Sequence, residues 1–86
     1  MEIKVLGSGC ANCKKLHENV SRAVSEMGLQ AEVLYITDLK EIAKSGLLRT
    51  PGLIVDNVII SYGRVLTTEE TKRLIENFQR LRVKSI

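Results

Sequence analysis

The sequence predicts an α/β domain ordered strand, helix, strand, helix, strand, strand, helix (βαβαββα), with a four-stranded mixed sheet flanked by three helices. Two short apolar runs, residues 2–6 and 31–36, are separated by a long stretch of helical spacing, the pattern of parallel strands joined through a crossover helix. Two further apolar runs flank Asp56-Asn57 and read as a hairpin with a tight turn, which makes the sheet mixed. A capped amphipathic segment follows the hairpin. At 86 residues this is one domain, residues 1–86. Its modest core must come from Leu, Ile, Val and Ala, because Tyr35, Tyr62 and Phe78 are the only aromatic residues.

The elements follow in order. The first helix is expected from about Ala11 to Met27, with Leu16, Val20, Ala23, Val24 and Met27 at helical spacing and Gly28 ending it. Asp38 caps a short second helix, and Glu41 stands where a capping box needs it. Leu39, Ile42 and Ala43 supply that helix's apolar side, and Gly46 stops it. Leu53–Val55 and Val58–Tyr62 are the hairpin strands. Thr67 caps the last helix with Glu70 as its box partner, and Leu74, Ile75, Phe78 and Leu81 form the buried stripe. Residues 83–86 read as a frayed tail. The first and third helices should cover one face of the sheet and the second helix the other.

A net charge of +3 is mild, with basic clusters only at Lys14-Lys15, Lys72-Arg73 and Arg80-Arg82-Lys84. No aromatic residues are interleaved with them as stacking platforms, so nucleic-acid binding is not expected. No run of about 18 apolar residues is present, and no membrane association is expected. The start, Met1-Glu2-Ile3-Lys4, has the pattern of a strand rather than of a signal peptide, which gives an expectation of a cytoplasmic protein. That compartment disfavours a permanent structural disulfide and favours a catalytic or metal-binding cysteine pair.

Both cysteines lie in one run, Gly7-Ser8-Gly9-Cys10-Ala11-Asn12-Cys13-Lys14-Lys15, where the first strand gives way to the first helix. Two thiols so spaced can open and close a disulfide or hold a soft metal ion. Disulfide exchange needs a thiolate. Cys10 sits at the expected helix start, where unpaired N–H groups and the helix dipole favour negative charge. Lys14 and Lys15 can add positive potential there, or can be solvated surface. Cys13 lies further into the helix and should be less exposed. His17, one turn beyond Cys13, reads as a helix-surface histidine.

The element order, with Gly9-Cys10-Ala11-Asn12-Cys13 after the first strand and Arg49-Thr50-Pro51 before the third, resembles the thioredoxin family. The resemblance is to small thioredoxin-like and glutaredoxin-like proteins that start directly at the active-site strand, and it spans Glu2 to about Leu81. It implies a thioredoxin-like fold and a protein disulfide oxidoreductase, with Cys10 attacking the substrate disulfide and Cys13 resolving the mixed disulfide. It implies that Pro51 is cis and faces the cysteines, that Thr50 offers backbone groups to an extended substrate, and that Gly63 lines the groove. Read without the resemblance, Pro51 is an ordinary trans proline before a strand and Gly63 a loop glycine. The implied partners are disulfide-containing protein substrates and an electron donor, either a thioredoxin-reductase-like enzyme or a small thiol. No organic cofactor is expected, and a monomer is.

The sequence departs from the family at three points. Ala11-Asn12 replaces the dipeptides usual between the cysteines, so the redox potential is not inherited. Gly9 stands where a tryptophan usually precedes the first cysteine. Lys4 falls at or near the position of a buried acid, so a base assisting Cys13 is missing or is supplied otherwise. The alternative is a two-thiolate module carrying copper or zinc, since the cysteine loop also resembles that of heavy-metal-associated domains. Those domains have a strand-helix-strand-strand-helix-strand order and usually a methionine where Ser8 stands.

Overall fold

A computed structural model describes residues 1–84. Seven elements follow one another: β1 (Glu2–Leu6), α1 (Ala11–Met27), β2 (Glu32–Ile36), α2 (Leu39–Lys44), β3 (Gly52–Val55), β4 (Val58–Tyr62) and α3 (Thr68–Lys84). The sheet has the order β2-β1-β3-β4 and is mixed. β1 pairs in parallel with β2, whereas β1–β3 and β3–β4 are antiparallel.

Strand alternation divides the sheet's two faces. Ile3 and Val5 of β1, with Leu53 and Val55 of β3, point to one face and pack against Leu16, Val20 and Val24 of α1 and Ile75 of α3. Leu6 and Ile54 point to the other face and meet Ile42 of α2. Helices α1 and α3 therefore share a face, and α2 covers the opposite one, as the apolar patterning predicts.

Local chemistry sets most boundaries. Asp56 and Asn57 both adopt positive φ (48° and 69°), the backbone of a two-residue hairpin turn that follows the twist of its strands. The turn is tied to the start of β1: Asp56 N–H donates to the Glu2 carbonyl, and Glu2 N–H donates to the Asp56 carboxylate, both at 2.8 Å. Before α3, Glu70 N–H donates to Thr67 Oγ1 and Thr67 N–H donates to the Glu70 carboxylate, each at 3.0 Å, a complete capping box.

Four expectations are corrected. Asp38 does cap α2, but it accepts from Lys40 N–H at 2.9 Å, a single bond where the capping box predicts two. Only Ile42 of that short helix is buried; Leu39 is 71% exposed and Ala43 also faces solvent, because six residues present little more than one inward position. Leu81 is 67% exposed rather than part of the buried stripe. The helix of 17 residues is about 25 Å long, whereas five-residue strands span about 17 Å, so its last turns outrun the sheet. The tail expected from residue 83 begins inside α3, which runs to Lys84; residues 85 and 86 lie outside the described residues.

Candidate active site

Helix α1 begins on a sulfur atom. Cys10 has the extended conformation of an N-cap residue (φ −71°, ψ 169°), and its Sγ accepts the backbone N–H of Cys13 at 3.4 Å. An N-cap is ordinarily Ser, Thr, Asp or Asn, whose oxygen satisfies one of the unpaired N–H groups of the first turn. With sulfur in that place, the same donors and the helix dipole favour the thiolate. Cys10 is exposed, whereas Cys13 is fully buried. Both are free thiols, with their Sγ atoms 2.8 Å apart.

The two sulfurs are driven in opposite directions. The Cys13 thiol, and then the Cys13 N–H, stabilise negative charge on Cys10 and hold it below the ordinary thiol value. Burial, and then the hydrogen bond given to Cys10, push Cys13 up. The exposed thiol ionises more readily than an ordinary cysteine and the buried one less readily. Lys14 and Lys15 are both exposed.

Gly7 makes room for Cys13. A Cβ on Gly7 would lie 2.3 Å from Cys13 Sγ, far inside any tolerated contact, so a side chain there would displace the sulfur. Gly7 also extends the β1–β2 ladder, its N–H donating to the Ile36 carbonyl at 3.0 Å. The sequence motif contains this glycine, but its role is visible only once the helix is folded back onto the strand.

Thr50 and Pro51 lie at the same end of the sheet. Gly52, the next residue, pairs with Leu6, the last residue of β1, and with Tyr62 of β4. The Thr50–Pro51 bond is cis; Thr50 is exposed and Pro51 buried. Gly63 N–H donates to the Pro51 carbonyl at 2.9 Å, which places these three residues together. Gly63 has φ 71°, and a Cβ there would press on the Arg49 side chain at 3.3 Å.

Lys4 turns away from the thiols. It pairs with Glu2 at 3.5 Å and lines a groove of about 610 Å³ on the α2 face, together with Leu6, Ile36 and Ile54. That groove contains neither cysteine. His17 is half-buried rather than free on the surface, because its ring stacks on Tyr35 with centroids 4.7 Å apart and planes 15° apart. The tyrosine partner was not legible from the sequence pattern.

The chain matches the thioredoxin domain over residues 1–76. It is 41% identical over 75 residues to a thioredoxin of Methanothermobacter thermautotrophicus, covering 87% of this chain and 97% of that protein. The chain belongs to the thioredoxin family. A thioredoxin of Methanocaldococcus jannaschii is 38% identical over 76 residues, 88% of this chain and 87% of that protein. The fold likewise matches that of thioredoxin 1 from Thermosipho africanus, with a TM-score of 0.63 at 17% identity over 94% of this chain and 97% of that one. Family membership makes the chain a thiol–disulfide oxidoreductase, acting on disulfide substrates with donors of the reductase type.

The alternative of a metal-carrying module does not stand. It requires a strand-helix-strand-strand-helix-strand order, and this chain has the thioredoxin order and family. No described helix is long and apolar enough to cross a membrane.

Proposed function

We propose that Cys10 is the nucleophile and Cys13 the resolving thiol of a dithiol–disulfide exchange with protein or small-thiol partners. The observation that carries this reading is the asymmetry of the pair: an exposed sulfur capping a helix, 2.8 Å from a buried one. The Cys10 thiolate attacks one sulfur of the substrate disulfide, and the other substrate sulfur leaves as a thiolate. Cys13 then loses its proton and attacks Cys10 Sγ. The mixed disulfide breaks, the second substrate thiolate leaves, and a Cys10–Cys13 disulfide remains for a donor to reduce.

Thr50, Pro51 and Gly63 form the substrate side of this site. Thr50 is exposed at the end of the sheet where β1 leads into the cysteine loop, and Gly63 keeps a side chain out of the way. Leu48 (80% exposed) and Tyr62 (47% exposed) neighbour these residues in sequence and give the surface an apolar rim for an extended polypeptide. Lys14 and Lys15 add positive potential at longer range. The exchange runs in a monomer in the cytoplasm, without an organic cofactor, and the donor is a thioredoxin-reductase-like enzyme or a small thiol.

The test is redox equilibration. The protein is poised in defined dithiol buffers, and free thiols are trapped for mass spectrometry. The expected result is a reversible two-electron couple confined to Cys10 and Cys13. A potential near about −270 mV marks a thioredoxin-like reductant, and one near about −200 mV marks glutaredoxin-like exchange. Failure to form an intramolecular disulfide would overturn the reading.

A further inference from the structure

The hydroxyl of Tyr35 is the one buried side-chain oxygen or nitrogen among the described residues with no hydrogen-bond partner. Buried hydroxyls nearly always have one, because an unmade bond costs the full desolvation of the group. Three placements put this tyrosine near the resolving thiol. Tyr35 pairs with Val5 in the β1–β2 ladder and packs on the α1 face of the sheet. Gly7, on which Cys13 Sγ rests, lies two residues beyond Val5 on that face, a diagonal neighbour within reach of an aromatic side chain. His17, whose ring stacks on Tyr35, is four residues after Cys13 and so lies beside it on the helix surface. Burial, and then negative charge on Cys13 and on Cys10, oppose ionisation of Tyr35.

We propose that Tyr35 is a positioning residue for the resolving step, its hydroxyl donating a hydrogen bond to Cys13 as that sulfur becomes a thiolate in the mixed disulfide. His17 holds the ring in place by stacking. This inference rests on Cys13 being the resolving thiol. In the dithiol, Cys13 Sγ lies 2.8 Å from Cys10 Sγ and the two share a thiol proton. In the mixed disulfide Cys10 is covalently bonded to the substrate and carries no charge, so Cys13 must release its proton to solvent from a buried position. Cys13 Sγ then bonds to Cys10 Sγ, the Cys10–substrate bond breaks, and the substrate sulfur departs with the electron pair.

The surroundings leave this task to Tyr35. From α1, Cys10 and His17 are the titratable groups near Cys13. β1 presents Ile3, Val5 and Gly7 to this face and turns Glu2 and Lys4 to the other. β3 presents Leu53 and Val55, and α3 packs Thr71 and Ile75 inward. The main groups acting on either thiol include no carboxylate. Tyr35 remains protonated and can donate throughout.

The test follows an aromatic disulfide that releases thionitrobenzoate, read by stopped-flow absorbance. The first equivalent reports attack by Cys10. The second, independent of reagent concentration, reports attack by Cys13. In Tyr35→Phe, which keeps the ring and its stacking, the second step should slow by about tenfold at neutral pH. Its pH profile should move to higher pH and reach the wild-type plateau in alkali, while the first step stays within about twofold of wild type. A second-step profile that superimposes on wild type would overturn the proposal. So would an equal slowing at every pH together with a lowered melting temperature, which marks a packing role. If wild type released no second equivalent, the assignment of Cys13 itself would fall, a result distinct from any effect of Tyr35→Phe.

Discussion

Helices α1 and α3 each have 17 residues and start from the same end of the sheet, yet their N-termini are built for different purposes. At α3, Thr67 and Glu70 satisfy each other's backbone N–H groups, Arg64 pairs with Glu70 at 2.9 Å, and Glu69 and Glu70 place acid where the dipole favours it. At α1 the first turn has no acid, two lysines lie one turn along, and the cap is a sulfur accepting at 3.4 Å. The first arrangement uses the helix end to stabilise the fold. The second leaves the same donors available to a reacting atom. A helix end supplies a thiolate site only where the better oxygen caps are withheld.

Substitutions can break this contrast at several strengths. The largest effect is expected from Cys10→Ser, which keeps a good N-cap and so should melt close to wild type while losing disulfide exchange altogether. Cys13→Ser should still attack substrate but accumulate the mixed disulfide, detectable as a mass adduct on Cys10. Gly7→Ala should come next, because its Cβ meets Cys13 Sγ at 2.3 Å. A loss of about 1–3 kcal/mol in chemical denaturation is expected, with the resolving step slowed more than alkylation of Cys10.

Thr67→Ala tests the stabilising end. It should cost about 1 kcal/mol and lower the melting temperature by about 4–8 °C, without changing the pH profile of Cys10 alkylation. Acid then sharpens the comparison. Thr67 N–H, and further on Arg64, hold the Glu70 carboxyl below its ordinary value of 4.5. A depressed folded-state value means that Glu70 contributes stability above about pH 4.5, and loses it as pH falls through the depressed value. The gap in melting temperature between wild type and Glu70→Gln should therefore be constant near neutrality and shrink below that pH. The smallest effect is expected from Lys14→Gln and Lys15→Gln, whose exposed charges are screened by solvent; Cys10 alkylation should change by no more than about twofold.

What the sequence made legible was local. The turn at Asp56-Asn57, the box at Thr67 and Glu70, the limits of α1 and the spacing of Cys10 and Cys13 depend on residues close together in the chain, and the fold contains each of them. The family resemblance added the association of Thr50, Pro51 and Gly63, which spacing alone does not disclose. What was not legible depends on register and length. The stacking of His17 on Tyr35 follows from the pairing of β1 with β2, and the close approach of Gly7 to Cys13 from the return of α1 across the sheet. Leu81 shows the same limit: its spacing fits the buried stripe, but nothing in the periodicity says where the sheet beneath the helix ends.

Two thiols three residues apart have opposite tendencies, Cys10 to ionise and Cys13 to stay protonated. The most direct measurement is alkylation of the reduced protein across a pH series, quenched at early times and assigned to each cysteine by peptide mass spectrometry. A single early adduct on Cys10, with a midpoint below the ordinary thiol value of 9.0 and with Cys13 unmodified, is the predicted result. Equal labelling of both cysteines, or earlier labelling of Cys13, would contradict it.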